Sequence, residues 1–150
     1  MSVFDVAKYI LEKQGEITAM KLQKLAFYVK AWALVWDEEE LFNEEFQAWA
    51  NGAVSPELYN IHRGMFKVSA DLFKDYDSAS FTVDQKETID KVLEFYGDYT
   101  AQQLSDINHQ EDPWKNARGD LAPTARCNEV ITSAAIFEYY SGVWNGEETE

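Results

Sequence analysis

The sequence predicts a mainly α, compact single-domain fold around one central apolar helix, with a small two-stranded β element. Three observations lead there. The stretch "TAMKLQKLAFYVKAWALVW" (residues 18–36) is apolar on nearly every side, with Lys30 the only charge between Leu25 and Trp36. Helix-start signals recur along the chain, as Ser or Thr followed three residues later by Asp or Gln. Finally, 150 residues, 46% hydrophobic and 15% aromatic, supply material for one core, while 7 Gly and 3 Pro leave little for a linker. The expected domain spans residues 1–144, followed by an acidic, disordered tail over 145–150.

In chain order, Ser2 with Asp5 starts a first helix carrying Val6, Ile10 and Leu11, and Gly15 stops it. Thr18 caps the central helix. Leu22, Leu25, Ala26, Val29, Trp32, Ala33 and Trp36 form a continuous stripe on it, and Phe27, Tyr28, Ala31, Leu34 and Val35 cover much of the rest. A helix apolar all round is buried on several sides, so neighbours are expected around its second half. Residues 37–40 read as a solvated acidic turn. "FQAWA" reads as a short strand before the Asn51-Gly52 turn signal. Ser55, Pro56 and Glu57 open a further helix, because proline suits the first helical position and an acid the first turn. Val68 to Phe73 reads as another short helix. Thr82 with Gln85, and Thr100 with Gln103, start two more; Gly97 ends the former and "EDPW" the latter. Residues 115–126 show no helical period and read as a loop. "CNEVI" supplies the second strand, and Thr132 caps a last helix through Ile136, Phe137 and Tyr140.

Charge narrows the partners. The formal net charge is −14; residues 1–30 hold five Lys against three acidic residues, so the remainder carries −16. Such a surface repels nucleic acid and anionic membrane, because phosphate binding relies on clustered Lys and Arg. It suits a basic protein partner or simple solubility. The single cysteine, Cys127, excludes an internal disulfide. With only His62 and His109 beside it, no zinc-site spacing arises. The central helix is the one membrane candidate, but Lys21, Lys24 and Lys30 interrupt it well short of the about 20 apolar residues a span needs. No basic segment followed by an apolar stretch and cleavage site begins at Met1. The expected localisation is cytoplasmic.

No catalytic motif appears. G-x-S-x-G, G-x-G-x-x-G, the phosphate-binding P-loop and H-E-x-x-H are all missing. Cys127 has only Arg126 beside it and reads as an incidental thiol. Carboxylate pairs such as Glu44-Glu45 are common by chance among 27 acidic residues, and His109 reads as a hydrogen-bonding residue near a helix end. A small hydrolase or transferase using His109 is the enzyme alternative; the expected answer is no enzyme, no catalytic residue, no cofactor and no metal. What remains is aromatic surface, since Trp49, Trp114 and Trp144 lie at element ends or loops where an indole serves as an interface anchor.

Four blocks carry a resemblance: "ITAMKLQKLAFYVKAW" (17–32), "FQAWANGAVSPELY" (46–59), "LSDINHQEDPW" (104–114) and "ITSAAIFEYY" (131–140). In this order they resemble the Panacea antitoxin domain, the family of the SocA-like and phage-associated GepA-like proteins. Where that family usually has Gly-Pro-Val, this chain has Gly52-Ala53-Val54, and the helix-turn-helix extension of some relatives is missing. The resemblance implies an antitoxin of a bacterial or prophage toxin–antitoxin system, one element of phage defence, which neutralises a cognate toxin from a neighbouring gene by direct binding. Some relatives act instead as adaptors that deliver the toxin to an ATP-dependent protease. Lys21, Gln23 and Lys24 are the polar positions of the first block, on what reads as the less buried half of the central helix. They are either solvated or organise the Trp49–Asn51 turn and the His109–Trp114 segment into a toxin-binding face. Their place in the resemblance favours the second reading, with Lys21, Gln23, Lys24, Trp49, Asn51, His109 and Trp114 as its residues.

Overall fold

The computed structural model describes residues 1–146; the remainder of the expected tail lies outside them. The helices are α1 (Val3–Gln14), α2 (Ala19–Trp36), α3 (Pro56–His62), α4 (Val83–Tyr96), α5 (Ala101–Gln110), α6 (Asp112–Arg118) and α7 (Ser133–Trp144). The strands are β1 (Ile17–Thr18), β2 (Phe46–Trp49), β3 (Gly52–Val54), β4 (Lys67–Val68) and β5 (Val130–Ile131). The fold is mainly α, as predicted, with a small β part in two sheets.

Local chemistry sets most boundaries. Ser2, Thr82 and Thr100 form complete capping boxes with Asp5, Gln85 and Gln103, so orphan backbone N–H groups at three helix starts are satisfied reciprocally. Thr18, Ser55 and Thr132 cap α2, α3 and α7 by accepting from the amides of Lys21, Leu58 and Ala135. Gly15, at φ +77°, ends α1 in a conformation that only glycine adopts cheaply.

α2 is the axis, flanked by α1, α4, α5, α7 and β3. Every residue from Leu22 to Ala33 is buried, whereas Leu34, Val35 and Trp36 are half-exposed. Neighbours do surround its second half, where Trp32 donates to Tyr96 of α4 and meets Tyr140 of α7 edge-on, but its first half is enclosed as well, by elements that include α1, β3 and α5. Aromatic rings fill the space around it. Tyr28 stacks on Tyr96 at 4.2 Å, and Phe27 meets Phe46 edge-on at 5.3 Å.

The β part exceeds the two strands expected. β2 pairs antiparallel with β3 (Ala48 opposite Ala53) and with β5 (Gln47 opposite Val130), giving the order β3-β2-β5. A separate ribbon joins β1 to β4, with Ile17 opposite Val68. The helix expected over Val68 to Phe73 is instead the end of β4 and a 3-10 turn (Ala70–Phe73). The loop expected over 115–126 begins four residues late, at residue 119, because α6 continues through Arg118. Pro113 sits in its first turn, and the Arg118 guanidinium ties its end by donating to the carbonyls of Ala48, Ala122 and Ala125 at 2.6–2.8 Å.

Candidate interaction site at the β2–β3 hairpin

The first turns of α2 lie under the hairpin that joins β2 to β3. Gln23, fully buried, clamps the chain beyond that hairpin. Its carbonyl oxygen accepts from the Ser55 amide at 2.8 Å, and its amide nitrogen lies 3.2 Å from the Ser55 carbonyl and 2.9 Å from His62 Nε2. Pairing both backbone groups of one residue with one side-chain amide reproduces a strand contact where no strand exists.

The next residue, Lys24, is 1% exposed. Its ammonium nitrogen has no hydrogen-bond partner among the described residues. Burial disfavours its charged form and pulls its pKa from the usual 10.5 to about 7. Gly52 makes room for it: a Cβ at this position would lie 2.5 Å from Lys24 Cε and 2.9 Å from Asn108 Oδ1. Gly52 also adopts φ +112°, so shape and backbone both demand glycine here. Asn108, buried on α5, accepts from the Ala53 amide at 2.7 Å. A proline at position 53, usual in the family that this stretch resembles, would lack that donor.

The hairpin is held from α5 and α6 as well. Trp114 Nε1 donates to the Trp49 carbonyl at 2.8 Å, and Ser105 Oγ donates to that of Asn51 at 2.8 Å. His109 stacks on Trp114 at 4.0 Å, and Arg118 lies against the same indole at 4.8 Å. Burial, then the charge of Lys24, holds the His109 pKa below its ordinary value; His62 is lowered chiefly by burial. Below the hairpin, Glu111 Oε1 accepts from both Tyr28 and Tyr140 hydroxyls at 2.6 Å. Burial raises the Glu111 pKa, partly offset by these two donors.

The seven residues picked from sequence are thus brought to one end of the molecule, in different roles. Gln23, Lys24 and Trp114 are buried, which corrects the reading of a less buried first half of the helix and of Trp114 as a loop tryptophan. Trp49 and His109 are half-buried, and Asn51 is exposed. Lys21 is half-buried; its ammonium donates to the Gly97 carbonyl at 2.6 Å, and so ties α2 to the end of α4 instead of facing the hairpin. Sequence reasoning missed that Asn108 and Lys24 both crowd Gly52, although the Asn-Gly turn signal is visible.

Beside this cluster opens a cavity of about 410 Å³, lined by Lys24, Asn51, Tyr59, His62, Met65 and Phe66 among others. No carboxylate lines it, in a chain with 27 acidic residues. Lys24 is its one cationic side chain, its other polar groups are hydroxyls, amides and the His62 ring, and Met65 and Phe66 stand exposed at its edge. Among the described residues no cluster of three or more His, Cys, Asp or Glu is placed to hold a metal ion, and no helix is long and apolar enough to cross a membrane.

The family described as "Antitoxin SocA-like, Panacea domain" matches residues 22–115. The chain belongs to the Panacea antitoxin family. The matched Panacea segment runs from α2 into α6, so it contains Gln23, Lys24, the whole hairpin, Asn108 and Trp114. The fourth resembling block, on β5 and α7, lies beyond it. No curated protein and no solved structure matches the chain.

Proposed function

We propose that this Panacea-family chain is a cytoplasmic antitoxin that neutralises a cognate toxin by direct protein–protein binding, without catalysis or cofactor. The observation that carries the reading is family membership across the segment that builds the hairpin site. The hairpin, with Trp49, Asn51 and the His109–Trp114 stack, forms the contact surface. Gln23 and Lys24 position it from below, while Lys21 fixes the start of α2 against the end of α4. A cavity without carboxylates, lined by Lys24 and neutral polar groups and flanked by exposed Met65 and Phe66, supports this place as one where a partner docks.

The test is co-expression with the product of the adjacent gene, in a bacterial or prophage locus. The expected result is growth arrest by the neighbour alone, rescue by this chain, and a complex that co-purifies. Trp49→Ala should weaken a true anchor contact by at least about 2 kcal/mol, some thirtyfold in affinity. A harmless neighbour, or one that never associates with this chain, removes the antitoxin reading. Rescue that disappears with an ATP-dependent protease assigns the adaptor role instead.

A further inference from the structure

At the opposite end of α2 the surface has different chemistry. The last turn of α2, α4 and α7 enclose an open groove of about 840 Å³. Trp36, Phe95, Tyr99 and Trp144 line it, and Phe95 and Trp144 are 72% and 62% exposed. Large aromatic rings left in water beside one another mark an interaction surface more often than chance packing. Four carboxylates, Asp37, Asp84, Glu87 and Glu94, line the same groove against a single cation, Lys91. That lysine already shows how a cation is held there: its ammonium lies 5.9 Å from the centre of the Trp36 ring.

We infer that this groove receives a basic amphipathic helix of the partner protein. The inference rests on the reading that the chain works by holding a protein, and it names the chemistry of what is held. One i, i+3, i+4, i+7 apolar stripe spans about two helical turns, rising about 5.4 Å each, and presents its side chains on one face to such a groove. Charge selects the occupant. A second copy of this chain would bring −14 against an acidic rim, and an anionic membrane would be repelled in the same way. A helix with Leu or Phe on one face and Lys or Arg on the flanks satisfies both rings and rim. The α7 wall of the groove, Val143 and Trp144, lies outside the matched Panacea segment, whereas the α2 and α4 walls lie within it.

The test uses the purified full chain and a synthetic 18-residue peptide with Leu at i, i+3, i+4 and i+7 and Lys elsewhere. Titration calorimetry is run at about 0.05 M and about 0.5 M salt, a change that shortens screening from roughly 14 Å to 4 Å. Saturable one-to-one binding is expected, weakened at least tenfold by Phe95→Ser and by Trp144→Ser. Glu87→Lys with Glu94→Lys should weaken binding and flatten its salt dependence, while Glu57→Lys with Asp71→Lys, away from the groove, should change neither. Circular dichroism checks the fold of each variant; Phe95, the more exposed ring, keeps the test valid if Trp144→Ser disturbs packing. Equal binding of a peptide with Glu in place of Lys, or binding indifferent to Phe95→Ser, overturns the inference. So does self-association abolished by Phe95→Ser, which would give the groove to a second copy. The peptide assay needs no toxin: failure here with intact neutralisation removes the groove alone, and success without neutralisation removes the antitoxin reading alone.

Discussion

Lys24 and Lys30 stand on the same helix and are both buried, but they meet opposite surroundings. Lys30 donates to the carbonyls of Glu44 at 2.8 Å and Phe42 at 3.3 Å and pairs with Glu40 at 3.2 Å. Lys24 has none of these among the described residues; it has space, made by Gly52, and the neighbouring amide of Asn108. A buried ammonium without an acceptor is costly, and such groups persist where surrounding structure fixes them. The Gly52 side of this arrangement is readily tested. Gly52→Ala adds a Cβ 2.5 Å from Lys24 Cε at φ +112°, and should cost at least about 2 kcal/mol in a urea unfolding series. Asn108→Ala leaves the buried Ala53 amide without its acceptor and should cost about 1–3 kcal/mol. A loss under about 0.5 kcal/mol in both would show the hairpin to be held from elsewhere. None of this pairing is legible in sequence. Lys and Gln in the first turns of a helix read as solvated, and only the fold reveals that the hairpin covers them. The available clue was α2 itself: a helix apolar on all sides leaves its few polar residues nowhere to go but inward.

Among the elements, helix starts were the most legible, because a cap is decided within four residues. Ser2, Thr18, Ser55, Thr82, Thr100 and Thr132 all cap as their local sequence dictates. The β1–β4 ribbon was not legible: two residues a side, paired across fifty positions, carry no period. α6 hid for a related reason. The Asp112-Pro113 pair reads as an end to α5, but proline serves equally as the opening of a helix, and α6 is secured by distant carbonyls that Arg118 reaches. The central position of α2 was legible and predicts a gradient of cost. Leu25→Ala or Trp32→Ala, inside the aromatic packing, should each lose about 2–5 kcal/mol, while Val83→Ala, 72% exposed on the first turn of α4, should stay within about 0.5. Chemical denaturation midpoints compare the three; equal midpoints would make α2 peripheral.

For the molecule as a whole, the buried ionisable groups set how stability follows pH. The Lys24 pKa is lowered by burial to about 7 in the folded chain and is near 10.5 when unfolded. The folded chain therefore binds fewer protons between these values. The penalty of burying the charge is complete below about pH 7 and absent above about 10.5, so stability rises as pH climbs from 7. The slope is at most about 1.4 kcal/mol per pH unit. Burial and the Glu111 charge raise the Tyr28 and Tyr140 pKa values, so their contribution is lost as pH climbs above about 10. The urea midpoint should thus increase from pH 7 to 9.5 and fall beyond 10. Lys24→Met should abolish the rise and keep the fall; an unchanged rise in that variant would refute the assignment.

The matched Panacea segment stops at residue 115, yet Tyr140 of α7 shares an oxygen of Glu111 with Tyr28 and meets Phe27 and Trp32 edge-on. α1 packs against α2 from another side. Trimmed to the matched stretch, the chain would present Phe27, Tyr28 and Trp32 to water and leave Glu111 short of a donor. Recombining this protein with a relative is therefore not a matter of splicing at the limits of family likeness. A chimera that borrows only the recognisable centre inherits half of an aromatic interior, and the crossover points that respect the packing lie before α1 and after α7.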